Sequence, residues 1–166
     1  MRYLVLALLG FVCLILQSTL FNEMIIAGAK PDLILVIVIL FALFNGPKQG
    51  AAAGFGLGLL EDLFNAKFLG LNAVSKLVIG FLLGFLEKRI FKDNFLVPVF
   101  SLFLGSLIYS LIYFLFTNIV GYSLSFDQVI RVTLPMAIYN TCFAPFIYGK
   151  FYKSSTKGIL KKNASM

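Results

Sequence analysis

The sequence predicts an all-α integral membrane protein, a bundle of six transmembrane helices with both termini in the cytoplasm. Three observations carry this expectation. The 166 residues are 60% hydrophobic and only 13% charged, whereas soluble domains are about 45–50% apolar and about 25% charged. Mean hydropathy is +0.97, so too few charges remain to build a water-facing surface, and lipid must be the solvent for most of the chain. Finally, the apolar residues fall into six stretches, residues 3–21, 32–45, 50–64, 71–87, 95–118 and 132–149.

A spanning helix needs about 20 residues, with a range of about 17–25. The first, fifth and sixth stretches meet that requirement and the fourth is marginal. The second and third are short, each about 21 Å of helix at 1.5 Å per residue. They form either two short spans or a re-entrant hairpin whose tip is Asn45-Gly46-Pro47-Lys48-Gln49. The hairpin would leave Lys48 near the bilayer centre, which is costly unless protein or water surrounds it. Two spans joined by a basic cytoplasmic turn is the expectation.

Charge sets the orientation. An N-inside arrangement puts Arg2, Lys48, Lys88, Arg89, Lys92, Lys150, Lys153, Lys157, Lys161 and Lys162 in the cytoplasm. Only Lys30, Lys67 and Arg131 fall outside, and Lys76 lies within the fourth stretch. Such a Lys/Arg bias orients membrane proteins. It also accounts for the net charge of +7 without a nucleic-acid partner. Arg2, the first apolar stretch and Ala27-Gly28-Ala29 could together suggest a signal peptide. The apolar run is longer than an ordinary signal core and the small residues lie well beyond it, so an uncleaved span is expected. Residues 1–149 then form a single membrane domain. Residues 150–166 are a short basic tail, expected to touch anionic lipid headgroups without a fold of its own.

The third stretch carries the sharpest pattern. Gly50, Gly54 and Gly58 recur every four residues and line one helix face, and Gly80 and Gly84 repeat the device on the fourth stretch. Small residues let two helix backbones approach closely in lipid. These five glycines serve either packing inside the bundle or an interface for a partner helix. Polar residues within apolar stretches are the other candidates, because charge there is costly and points to function. Pro31 and Asp32 open the second stretch, where proline costs little and an acidic residue complements the helix dipole. Asp62 sits near the outer end of the third stretch, and Asn72 and Lys76 share a face of the fourth. Lys76 is expected either to pair with Asp62 or to snorkel towards headgroup water. Glu61 and Asp62 are adjacent and diverge by about 100° on a helix, which argues against a paired-carboxylate acid/base site. Asn140 and Thr141, between Pro135 and Pro145, mark the sixth stretch as kinkable.

Enzyme chemistry has little to draw on. The chain has no His, the commonest general base and metal ligand. It has no phosphate-cradling glycine loop before a Lys-Ser/Thr and no carboxylate cluster suited to Mg²⁺. Cys13 and Cys142 lie in apolar stretches without disulfide or metal spacing. No cofactor or metal is expected.

Taken in order, Pro31-Asp32-Leu33, Gly46-Pro47-Lys48-Gln49-Gly50, Gly54-Phe55-Gly56-Leu57-Gly58-Leu59, Asp62 and Gly70-Leu71-Asn72-Ala73 resemble the MreD family of bacterial rod shape-determining membrane proteins. The resemblance covers most of the chain in size and segment order. It is most specific over residues 30–73, and the last two stretches match in hydropathy alone. It implies a non-enzymatic scaffold in the cytoplasmic membrane that binds MreC directly. Through MreC it would couple MreB filaments to the peptidoglycan synthases RodA and a class B penicillin-binding protein, with a homodimer left open. The family is also distantly similar to the substrate-binding membrane subunits of energy-coupling-factor transporters. That similarity implies the alternative of a small-ligand-binding transport subunit, although no polar set in the sequence defines a pocket.

Overall fold

In the computed structural model, residues 2–19, 29–66, 69–89, 96–122 and 125–157 are described. They form six α-helices: α1 (Arg2–Thr19), α2 (Leu33–Asn45), α3 (Pro47–Asn65), α4 (Leu71–Gly84), α5 (Leu96–Ile119) and α6 (Phe126–Lys157). A 3₁₀ turn, Phe85–Arg89, follows α4. No strand occurs among the described residues. The end of the first stretch at residues 20–21, Ala27-Gly28, Lys67, Lys92 and the tail beyond Lys157 lie outside the described residues.

The centre of the molecule is α2. Its sequence, LILVIVILFALFN, is apolar on every face, and such a helix must be enclosed or face lipid throughout. Here it is enclosed, for α2 touches each of the other five helices. Ile34, Leu35, Val36, Val38, Ile39, Leu40, Phe41 and Ala42 are wholly buried. This explains why α2 is short, at about 20 Å. It ends against protein, so its length need not match a bilayer.

Both ends of α2 are closed by specific groups. The Asp32 carboxylate accepts from the Leu35 N–H at 2.8 Å, a side-chain N-cap that satisfies one of the unpaired first-turn donors. At the other end, Gly46 has φ +91° and ψ 176°, a conformation open to glycine. The Gly46 N–H donates to Ala42 O and its carbonyl accepts from the Gly50 N–H, both at 2.8 Å. One residue thus stops α2 and starts α3, with Pro47 in the first helical position, where its missing N–H is not needed.

From there α3 runs back antiparallel to α2, and α4 returns antiparallel to α3. Gly46 and Pro47 lie against Gly84, and Phe44 meets Tyr148 with ring centres 5.8 Å apart. The turn expected at residues 45–49 therefore lies near one end of the bundle, between two antiparallel helices. At 19 residues, α3 is also longer than its apolar stretch, because Pro47, Lys48 and Gln49 are already helical.

Two boundaries differ from expectation in the last helix. Where the hydropathy covered 132–149, α6 extends over 32 residues, Phe126–Lys157, and passes through Pro135 and Pro145 without interruption. Residues 150–157 of the expected unfolded tail thus continue a helix. Hydropathy cannot see this extension because a helix does not need apolar residues to propagate.

The outer surface is apolar. On α5, Phe100, Leu104, Ile108, Leu111, Leu115 and Ile119 form an exposed stripe, while Ser101, Leu102, Gly105, Ser106 and Tyr109 are buried. Exposed Leu4, Leu8, Phe11, Val12 and Ile15 do the same on α1. At 24 residues and a mean hydropathy of 2.1, α5 is long and apolar enough to cross a bilayer. By comparison, α1 and α2 are shorter apolar helices.

Candidate functional site

All five sequence-identified glycines lie between helices. A Cβ on Gly54 would run into the backbone carbonyl of Lys76, and one on Gly58 would come within 2.6 Å of Asn72 O and 2.7 Å of Ala73 Cα. Gly50 and Gly80 face each other backbone to backbone, and Gly84 lies on Pro47. The stripe is therefore consumed by the α3–α4 contact. Of the two alternatives, packing inside the bundle is the one these contacts match, since α4 already occupies that face.

This close approach positions the polar residues. Lys76 sits inside the bundle with no solvent exposure, so it does not snorkel. Nor does it pair with Asp62. Its ammonium lies 2.8 Å from Asp32 Oδ2 and 2.5 Å from Glu61 Oε2. Its third direction points to the Tyr109 hydroxyl at 3.4 Å, with the Tyr109 ring centre 4.9 Å away. Three donors thus meet three acceptors, the condition under which a charge is tolerated away from water.

Asp62 serves a different purpose. Its carboxylate accepts from the backbone N–H groups of Gly70 (3.0 Å), Asn72 (3.2 Å) and Ala73 (3.0 Å), and from Asn72 Nδ2 (2.8 Å). These are the unpaired donors at the start of α4, and a carboxylate there also complements the helix dipole. Gly70, at φ +99°, bends the chain so that those N–H groups converge. The divergence of Glu61 and Asp62 around α3 is what splits the roles: one carboxylate reaches Lys76 and the other caps α4.

The network extends through the remaining helices. The Tyr109 hydroxyl donates to Asn72 Oδ1 at 2.6 Å, linking α5 to the Asp62 cap. The Asp32 N–H donates to Asn140 Oδ1 at 2.8 Å, and Asn140 Nδ2 donates to Ser106 Oγ at 3.0 Å. Gln17 Nε2 donates to Pro31 O at 3.2 Å. All six helices are joined at one level.

Sequence reasoning singled out Asp32, Asp62, Asn72 and Lys76, and the structure brings all four to this level. Pro31 lies just ahead of the α2 cap and contributes its carbonyl. The pairing of Lys76 with Asp32 and Glu61, and the parts played by Tyr109, Ser106 and Asn140, were missed. Asn140 had drawn notice as a kink marker, but only helix adjacency shows its partners.

Beside the network, at the end of the bundle carrying the α3 C-terminus, a cavity of about 710 Å³ opens. Asp32, Glu61 and Tyr109 face it, with Leu14, Phe64 and Met136 among its apolar walls. No local pattern marks this pocket, because its polar lining comes from five helices and the cap of a sixth.

The family model of the rod shape-determining protein MreD matches residues 1–154 of the 166. The chain belongs to the MreD family. No curated protein and no solved structure matches it. Membership assigns the chain to a family of membrane proteins that act in rod-shape determination. The MreD match takes in every helix of the bundle, including the network and nearly all of α6.

Proposed function

We propose that this MreD-family chain is a non-enzymatic, multi-pass scaffold in the bacterial cytoplasmic membrane. It binds MreC and helps couple MreB filaments to the peptidoglycan synthases RodA and a class B penicillin-binding protein. The observation that carries the reading is the division of surfaces. The polar side chains around Lys76 turn inward and are bonded to one another, while α1 and α5 present apolar stripes outward. Inward polarity with an apolar exterior suits a protein whose solvent is lipid and whose partners are other membrane helices.

Six antiparallel passes with N-in, C-in topology fit this reading. Lys48 and the 3₁₀ turn would lie on the cytoplasmic side, and the ion network near the outer side. The charge bias along the chain supports that orientation. With the glycine stripe internal, outward apolar faces such as those of α1 and α5 are open to helix partners. Affinity purification of the tagged chain from membranes co-expressing MreC tests the scaffold role: MreC is expected to co-elute, and its loss from an intact, inserted chain would contradict the proposal. The cavity favours a second role, ligand binding, which is compatible with scaffolding because its mouth and the outward stripes are different surfaces.

A further inference from the structure

The cavity beside the ion network has a definite chemical bias. Lys76 cannot serve as a receptor for anions, since it is wholly buried and its three donors are already directed at Asp32, Glu61 and Tyr109. Two carboxylates share this one ammonium. Asp62, the third carboxylate nearby, is saturated by N–H donors. Three carboxylates thus line the cavity, Asp32, Glu61 and Asp62, beside a single buried ammonium.

The lining includes side-chain donors such as Ser110 and Tyr113, but its carboxylate oxygens can only accept. Glu61 Oε1 accepts no hydrogen bond among the described residues. The Oε1 of Gln17, another lining residue, is buried and equally without a donor among them. Its orientation is fixed, because Nε2 donates to the Pro31 carbonyl and a carbonyl can only accept. Nor do the carboxylates resemble an unfilled metal site: no group of His, Cys, Asp and Glu among the described residues is placed to hold a metal, and the Lys76 ammonium already stands between Asp32 and Glu61. Lys30 lines the mouth but is exposed, where water and salt screen its charge.

We propose that this cavity binds a small organic ammonium with an apolar body. The ammonium donates to Glu61 Oε1, and the body lies against Leu14, Phe64 and Met136. A pocket of mainly apolar walls with a few placed polar groups is the ordinary form of a small-molecule site, and here those groups select positive charge. The proposal goes beyond the scaffold reading and does not depend on it.

The test uses the full chain in phosphatidylglycerol nanodiscs with tryptamine as the probe, alongside neutral 3-methylindole and anionic indole-3-acetate. Tryptamine is expected to raise the unfolding temperature saturably and to bind at least about tenfold more tightly than either analogue, as a charge-assisted hydrogen bond provides. Glu61→Gln should weaken tryptamine by about tenfold. Met136→Trp should crowd the wall against which the body lies and weaken tryptamine by at least about tenfold while leaving the helical signal intact, so the test stands even if Glu61→Gln fails to fold. Discs containing phosphatidylethanolamine separate two sources of the same chemistry. Competition with tryptamine would identify a lipid amine as the occupant, and undiminished binding would identify a free amine. No response to tryptamine, equal binding of the anionic or neutral analogue, or full binding by Met136→Trp would overturn the proposal.

Discussion

Lys76 and Asp32, 44 positions apart in sequence, meet at 2.8 Å inside the bundle. Their pairing fixes the middle of α4 against the start of α2, the helix that every other helix touches. Asp32 simultaneously caps α2 and receives α6 through Asn140. Loss of this one contact should therefore be felt across the whole fold.

Lys76→Met tests the point. The side chain is similar in length, but Asp32 and Glu61 would remain buried without a counter-charge. Breaking a buried ion pair from one side costs about 3–5 kcal/mol, and thermal unfolding in nanodiscs should show a loss of that size. Combining Lys76→Met with Asp32→Asn and Glu61→Gln should restore part of it, since no unpaired charge remains.

Asp32 has two separable roles. Asn caps helices nearly as well as Asp, whereas Ala does not. Asp32→Asn should lose the ion pair alone. Asp32→Ala should lose about 0.5–2 kcal/mol more by uncapping α2, read as the difference between the two unfolding free energies.

The glycines give an internally controlled set. Gly54→Ala and Gly58→Ala push a Cβ into the α4 backbone and should destabilise the bundle by about 1–3 kcal/mol. Gly56, on the same helix, has nothing within 4 Å of a Cβ. Gly56→Ala should be neutral or stabilising by up to about 1 kcal/mol, the helix-propensity difference. Equal losses at all three positions would contradict the α3–α4 packing.

Asp62→Ala leaves the first N–H groups of α4 without their acceptor. Amide hydrogen exchange at Asn72 and Ala73 should accelerate, with a stability loss of about 0.5–2 kcal/mol. The exchange of mid-α2 amides should change far less.

Much of this fold was legible in the sequence because apolar runs and small-residue spacing are local signals. The Pro31-Asp32 start, the Gly46-Pro47 turn and the Gly50, Gly54, Gly58 face all reappear as helix boundaries and contacts. Polar partners were less legible. Asp62 is the carboxylate nearest the outer end of its stretch and so looked like the partner of Lys76, but the angular offset on α3 assigns that place to Glu61. Asn140 and Tyr109 enter the network through the packing of α5 and α6, which no spacing rule encodes. The length of α6 was hidden because hydropathy follows lipid contact, whereas the helix continues beyond its apolar part.

A scaffold of the kind proposed meets its partners on outward apolar faces, because α4 already fills the glycine stripe. Photo-crosslinking in cells distinguishes the two surfaces, with a crosslinker placed at outward Phe11 or Leu104 and at inward Leu57 or Leu102. MreC or synthase adducts are expected from the outward positions and none from the inward ones. Partner adducts confined to the inward positions, or none from any position in a correctly inserted chain, would contradict the proposal.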